Sequence, residues 1–169
     1  MRTAQRLKGV QYAVRDIVVE SNKIEKQGHK VLKLNIGDPN VYDLDTPDYI
    51  KQALFAAVKA GKNGYSPSEG IVELRQAIAD WNKTKGFDSQ ADDVVVSSGL
   101  SEAVNYLLGC LVEPGDNVII PSPSYPLYDA FISYYGGEYR LAELDESRNF
   151  APDVDSIRKN IDDKTRAIV

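Results

Sequence analysis

The chain has 169 residues, 43 % of them hydrophobic and 27 % charged, with a net charge of -5, which fits an ordinary globular domain with a sizeable core. Mild acidity without a Lys/Arg cluster excludes an electrostatic footprint for nucleic acid, and no apolar run reaches membrane-spanning length. A single cysteine, Cys110, excludes an intrachain disulfide and a multi-cysteine metal site, and the lone His29 argues against a histidine triad or metal cluster.

Met1 to Arg6 leads into no secretory apolar region, so a soluble cytoplasmic protein is expected. Between Tyr12 and Gln27, Val14, Ile17, Val18, Ser21 and Ile24 recur at helical spacing, and Gly28 can end that helix. His29 follows as a surface residue stabilising the last turn. Lys30 to Leu34 alternates like a short strand, and Asn35 to Asp45 is polar and turn-rich. Thr46-Pro47-Asp48 combines an N-cap, a first-turn proline and an acid favoured by the helix dipole, which predicts a helix to about Ala60, stopped by Gly61. A glycine-flanked loop, Gly61 to Gly70, precedes an apolar stripe of Ile71, Leu74, Ala77, Ile78 and Trp81 that runs to about Gly86.

From Asp92 onward strands and helices alternate. Asp92-Asp93 and Asp162-Asp163 sit at element starts and read as caps rather than acid–base dyads. Val94 to Val96 reads as a buried strand and Ser101 to Leu111 as a helix, in which Cys110 is expected to be a small buried hydrophobe. A turn at Glu113 to Asp116 leads to a strand at Val118 to Ile120, a helix over Pro126 to Tyr135 and a strand at Glu138 to Ala142. Val154 to Ile161 is helical, and Arg166 to Val169 begins another strand. The alternation predicts an α/β fold, a parallel sheet covered by helices on both faces. Ala167-Ile168-Val169 is apolar where termini are usually polar, so a chain cut inside a sheet is expected.

The most suggestive stretch is VVVSSGLSEAVNYLL, Val94 to Leu108, where serines and a glycine stand between strand and helix. The unpaired N–H groups of a helix N-terminus suit an anion, and Gly99 lets a bound group approach the backbone. Plain capping explains the same residues, and on this stretch alone both readings stand. Neither G-x-G-x-x-G nor a Walker lysine is present. PSPSYPLY, Pro121 to Tyr128, follows the next strand, so its Tyr125 belongs at the same sheet edge, where doubly wound folds bind ligands. Tyr65 in the glycine-flanked loop and Gly37 in NIGDP serve either packing and turns or a ligand.

Four segments in order, LNIGDPNVYDLDTP, YSPSEGIVELRQAIA, VVVSSGLSEAV and DNVIIPSPSYPLY, resemble the fold-type I pyridoxal-phosphate-dependent aminotransferases of classes I and II, nearest the alanine aminotransferase-like branch. The resemblance covers essentially the whole chain. It implies the N-terminal part of such an enzyme: an N-terminal helix and substrate loop over residues 1–45, belonging to the small domain, and an incomplete cofactor-binding large domain over 46–169 with a mainly parallel sheet. It implies pyridoxal 5'-phosphate as cofactor. Gly99, Leu100 and Ser101 would cradle its phosphate, Tyr125 would stack on its ring, and Tyr65 would reach the phosphate in the partner subunit of a homodimer. Gly37 would offer its N–H to the substrate carboxylate. Leu100 is bulkier than the small residue common at that position of the family, a change that backbone binding survives.

The implied reaction passes an amino group from an alanine-like amino acid to a 2-oxo acid by a ping-pong route. The Schiff-base lysine it needs is expected beyond Val169, together with the residues that hold the ring oxygen, the ring nitrogen and the substrate carboxylate. Lys59, Lys62, Lys83, Lys85, Lys159 and Lys164 read as solvated surface, so no catalytic residue is expected within these 169 residues and the chain alone is expected to be inactive. The alternatives are a truncated paralogue that dimerises with a full-length partner, a lyase or synthase of the same fold and cofactor, and, last, a nucleotide-binding α/β regulator.

Overall fold

Asn117, Val118, Ile119 and Ile120 are all buried in succession, the mark of a strand covered on both faces. They open β1 (Asn117–Ser122) in a computed structural model that describes residues 2–10, 13–35 and 37–169. β2 (Glu138–Asp145) runs parallel to β1, with Asn117 opposite Glu138 and Ser122 opposite Glu143. β4 (Thr165–Ile168) runs parallel on the other side of β1, with a register shift between Asn117 and Val118. The short β3 (Ala151–Pro152) pairs antiparallel with β2, giving the order β3-β2-β1-β4. The α/β class and the mainly parallel sheet expected from the sequence are both present.

The core lies on one face of this sheet. Val104 and Leu108 of α4 (Leu100–Leu111), followed by Val112, recur every fourth residue and pack against Val118, Ile120 and Ile132. Ile132 belongs to α5 (Leu127–Tyr134), whose Leu127, Tyr128 and Phe131 close the same cluster with Tyr135. Each large apolar chain buried there contributes roughly 1.5–3 kcal/mol. Gly109 lets α5 approach: a Cβ there would lie 2.9 Å from the Tyr135 hydroxyl, which donates to Asn105 Oδ1 at 2.8 Å.

On the other face, Arg140, the register partner of Ile119, donates to the carbonyl of Asn160 at the end of α6 (Val154–Asn160). Asp153 caps that helix by accepting from the N–H groups of Asp155 and Ser156. From β1 the chain steps through α5 to β2, then returns through α6 across β1 to β4. Right-handed crossovers in opposite directions put their helices on opposite faces, and ligands gather at the strand C-termini where the direction reverses.

The chain forms two compact units, Met1–Lys33 with Ser98–Val169, and Leu34–Ser97. Besides the sheet, the first holds a 3-10 turn (Gln5–Gly9) and α1 (Ala13–Lys26); Tyr12, the expected start of that helix, lies outside the described residues. The Arg6 guanidinium stacks 5.0 Å above the Tyr134 ring. The second unit holds α2 (Asp48–Lys59), α3 (Val72–Thr84) and 3-10 turns at Pro39–Tyr42 and Ala91–Asp93. Arg75 of α3 donates to the carbonyl of Ala91, and Asp93 accepts the Gln90 N–H, a cap as expected.

Four local expectations are corrected. Residues 94–96 are extended but form no strand: Val96 N–H donates to the Glu69 carbonyl, a single bond rather than a ladder, and Val95 is 67 % exposed. Residues 30–34 are likewise irregular, with Leu32 and Leu34 exposed, so their alternation faces no core. α2 begins at Asp48 with Pro47 at the cap position, and Thr46 makes no capping bond. Cys110 is exposed, because it falls half a turn away from the Val104–Leu108 stripe that faces the sheet. No helix among the described residues is long and apolar enough to cross a membrane.

Candidate functional site

Residues 112–116 join the C-terminus of α4 directly to the start of β1, and the stripe of α4 lies along Val118 and Ile120. The N-terminus of α4 therefore stands at the same sheet edge as Ser122, the C-terminal end of β1, next to the reversal of strand order. Gly99 caps α4 through its backbone, at φ 85° and ψ 171°, with no side-chain capping bond. A Cβ built on Gly99 would meet nothing within 4 Å, so this edge of the helix opens onto free space. Ala103 N–H donates to the Gly99 carbonyl, the first bond of the helix ladder. The N–H groups of Leu100 and Ser101 precede that ladder, and both residues are exposed.

Glu102 organises the turn. Its Oε2 accepts the Ser98 N–H at 2.5 Å and its Oε1 accepts the Tyr106 hydroxyl at 2.7 Å. These two bonds, the tyrosine's first, hold the Glu102 carboxyl below the usual carboxylate range, and the same carboxylate raises the Tyr106 hydroxyl above its own.

Beyond β1 the loop carries a cis peptide bond between Ser122 and Pro123, then Ser124 and Tyr125. Ser124 Oγ is buried without a hydrogen-bond partner. The Tyr125 ring is 43 % exposed and meets Tyr128 edge to face, 6.1 Å between centroids and 88° between planes, which fixes its orientation. Gly99, Leu100, Ser101 and Tyr125 are thus gathered at one edge of one unit. Tyr65 and Gly37 belong to the other unit. The Tyr65 ring is wholly exposed, and Gly37 is exposed with open space around it; Ile36 beside it lies outside the described residues. A separate surface cavity of about 390 Å³ is lined by Asp145, Arg148, Asp153, Val154, Asp155 and Arg158, and its arginines are already paired with Asp145 and Asp155.

Sequence reading did not single out Glu102 or Ser124. Glu102 carried a signal, since Gly99-x-x-Glu102 has the spacing of a capping box. Ser124 carried none, because its burial arises only once the proline-flanked loop is folded.

A family model for aminotransferases of class I and II matches residues 29–169. The chain belongs to this family. Glutamate-pyruvate aminotransferase AlaA of Escherichia coli (strain K12) is 34 % identical over 168 residues, covering 98 % of this chain and 41 % of the relative. Alanine aminotransferase of Mycobacterium bovis is 35 % identical over 167 residues, covering 97 % and 39 %. The solved alanine aminotransferase from Pyrococcus furiosus superposes with a TM-score of 0.93 at 43 % identity, covering 99 % of this chain and 43 % of that one. The chain therefore spans about two fifths of the length of the relatives it matches.

Aminotransferases of this family depend on pyridoxal phosphate. The residues present fit its two distinctive parts. An open helix N-terminus with a glycine cap suits the phosphate, and an oriented, partly exposed tyrosine on the same edge suits a flat aromatic ring.

Proposed function

We propose that the whole protein transfers the amino group of alanine, or of a similarly small amino acid, to a 2-oxo acid by a ping-pong route with pyridoxal 5'-phosphate. The observation that carries this is the convergence of the Gly99–Ser101 helix N-terminus and Tyr125 at one sheet edge, in a chain of this family. The printed names of the relatives, glutamate-pyruvate and alanine aminotransferase, support the alanine-like donor.

In this reading the backbone N–H groups of Gly99, Leu100 and Ser101 and the Ser101 hydroxyl hold the phosphate. Tyr125 stacks on the ring and keeps the scissile bond aligned with it. Gly37 N–H binds the substrate carboxylate, and the fully exposed Tyr65 reaches the phosphate of a partner subunit in a homodimer. Residues 1–45 serve the small domain and 46–169 the cofactor-binding large domain. When bound, the cofactor supplies the electron sink that lets the substrate Cα–H bond break.

The lysine that carries the cofactor lies, in this proposal, outside these 169 residues, and the chain alone is inactive. Lys59, Lys62, Lys83, Lys85, Lys159 and Lys164 are all exposed, which supports this, because a lysine that attacks an aldehyde near neutral pH needs its ammonium destabilised by burial or a like charge. Borohydride reduction of the protein with pyridoxal phosphate, followed by peptide mapping, is expected to find no stoichiometric pyridoxyl-lysine within this stretch. One such lysine anywhere in the stretch would overturn the assignment. Product analysis with alanine and a 2-oxo acid is expected to give pyruvate and the amino acid of the acceptor without ammonia, whereas pyruvate and ammonia formed from a donor that carries a β-leaving group would favour the lyase reading.

A further inference from the structure

Ser98 presents its N–H one residue before the cap of α4, and this donor is occupied by the Glu102 carboxylate, not left for a ligand. The other carboxylate oxygen is held by Tyr106, so the side chain is clamped from both ends across a single helical turn. The backbone between them contains Gly99 in its glycine-only conformation, at φ 85° and ψ 171°. Glu102 is a like charge for a phosphate one turn away, so attraction to the ligand does not account for its place there.

We propose that Glu102, braced by Tyr106, is a positioning residue for phosphate binding: by holding the Ser98 N–H it locks the Gly99 turn so that the following N–H groups converge on one point. The inference rests on the cofactor reading above. Hydrogen bonding through a carbonyl oxygen is enough for this task, and the negative charge is not required. An amide at position 102 can accept the same N–H, whereas a methyl group cannot.

The test uses the full-length aminotransferase and compares the dissociation constants of pyridoxamine phosphate and pyridoxamine, which differ only in the phosphate and form no Schiff base with lysine. In the wild-type protein the phosphate form is expected to bind far more tightly; equal binding would defeat the cofactor reading itself before any variant is read. Glu102→Ala is expected to weaken pyridoxamine phosphate about tenfold, the size of one lost hydrogen bond, while leaving pyridoxamine unchanged. Glu102→Gln is expected to stay within about threefold of wild type, and Tyr106→Phe to fall between the two. A structural role alone would shift both ligands together. Equal shifts for the two ligands, no shift with Ala, or a loss with Gln as large as with Ala would each overturn the proposal. Should the Ala variant fail to fold, the phosphate-specific ratio in the Gln and Phe variants decides alone: retention with Gln and a partial, phosphate-selective loss with Phe support it, and any other pattern overturns it.

Discussion

Gly99 and Gly70 both hold a positive φ, at 85° and 99°, yet their surroundings differ and so do the consequences of replacing them. Around Gly99 there is room for a Cβ, so Gly99→Ala clashes with nothing and suffers only from the backbone conformation. The variant is expected to lose about 1–3 kcal/mol in urea unfolding, and to bind phosphate-bearing ligands more weakly as the turn relaxes. Gly70 is in the same backbone predicament, but a Cβ there would also lie 2.6 Å from Val96 Cγ2. Gly70→Ala therefore adds an overpacking cost of about 1–3 kcal/mol to the backbone term. A double-mutant cycle separates the two: Val96→Gly, which removes the Cβ at 2.8 Å as well as Cγ2, is expected to relieve the contact and leave the backbone cost in place. Additive effects of the two substitutions would show that no such contact exists.

Among the elements, the starts of β1, β2 and β4 are bound together by one polar network. Asn117, 1 % exposed, donates from Nδ2 to Asp162 Oδ1 at 2.8 Å and accepts the Thr165 hydroxyl at its own Oδ1, also at 2.8 Å. Asp162 Oδ2 pairs with Arg140 of β2 at 2.8 Å. The Lys164 N–H, the Asn117 amide and the Arg140 guanidinium, in that order, bring the Asp162 carboxyl down from 3.8 to about 2. A carboxyl with a lower pKa in the folded state stabilises the fold fully above its unfolded value and loses that stabilisation as pH falls through the folded one. The contribution of Asp162 should therefore fade between pH 3.8 and about 2. Asp162→Asn is expected to lower the urea midpoint at neutral pH, and the gap from wild type should narrow across that acid window. A gap that stays constant down to pH 2 would mean the ionised form has no special role.

The same scale shows where the sequence was legible. β1 and α4 are recognisable locally, because an apolar run and a fourfold stripe declare themselves without knowledge of their partners. Val94-Val95-Val96 carries equal β-propensity, but its N–H groups donate to the scattered carbonyls of Ala91 and Glu69, and a strand exists only where a neighbour completes its ladder. β2 outruns its expected end at Ala142 because Leu144 and Asp145 pair with β3, a two-residue partner with no local signature. At the site, Gly99 and Tyr125 were visible as a strand-to-helix turn and an aromatic loop. The Glu102 bond to Ser98 was not, since a glutamate in a first helical turn serves the dipole whether or not it reaches back.

At the scale of the whole molecule, the apolar surface of the two units is incompletely covered. No residue of α2 is buried, although Tyr49, Leu54, Phe55 and Val58 are apolar and exposed on it, Phe55 to 71 %. α4 buries Val104 and Leu108 but leaves Leu100, Tyr106 and Leu107 more than half exposed. β4 pairs with β1 along one side, and among the described residues its other side has no strand partner, with Ile168 exposed. Uncovered apolar helix faces mark association surfaces, and an open apolar edge strand is a template for pairing with another chain. The 169-residue chain expressed by itself is therefore expected to bind an apolar dye such as anilinonaphthalene sulfonate and to sediment as concentration-dependent assemblies. Leu54→Asp with Phe55→Asp should reduce both signals if the α2 face is the seat of association. Ile168→Pro removes a backbone donor from the open side of β4, since it is the next residue, Val169, whose N–H donates to the Ile119 carbonyl of β1, and it tests the sheet edge separately. A monodisperse monomer that binds no dye and unfolds in one two-state transition would show that these faces are tolerated in water, and the association argument would fail with it.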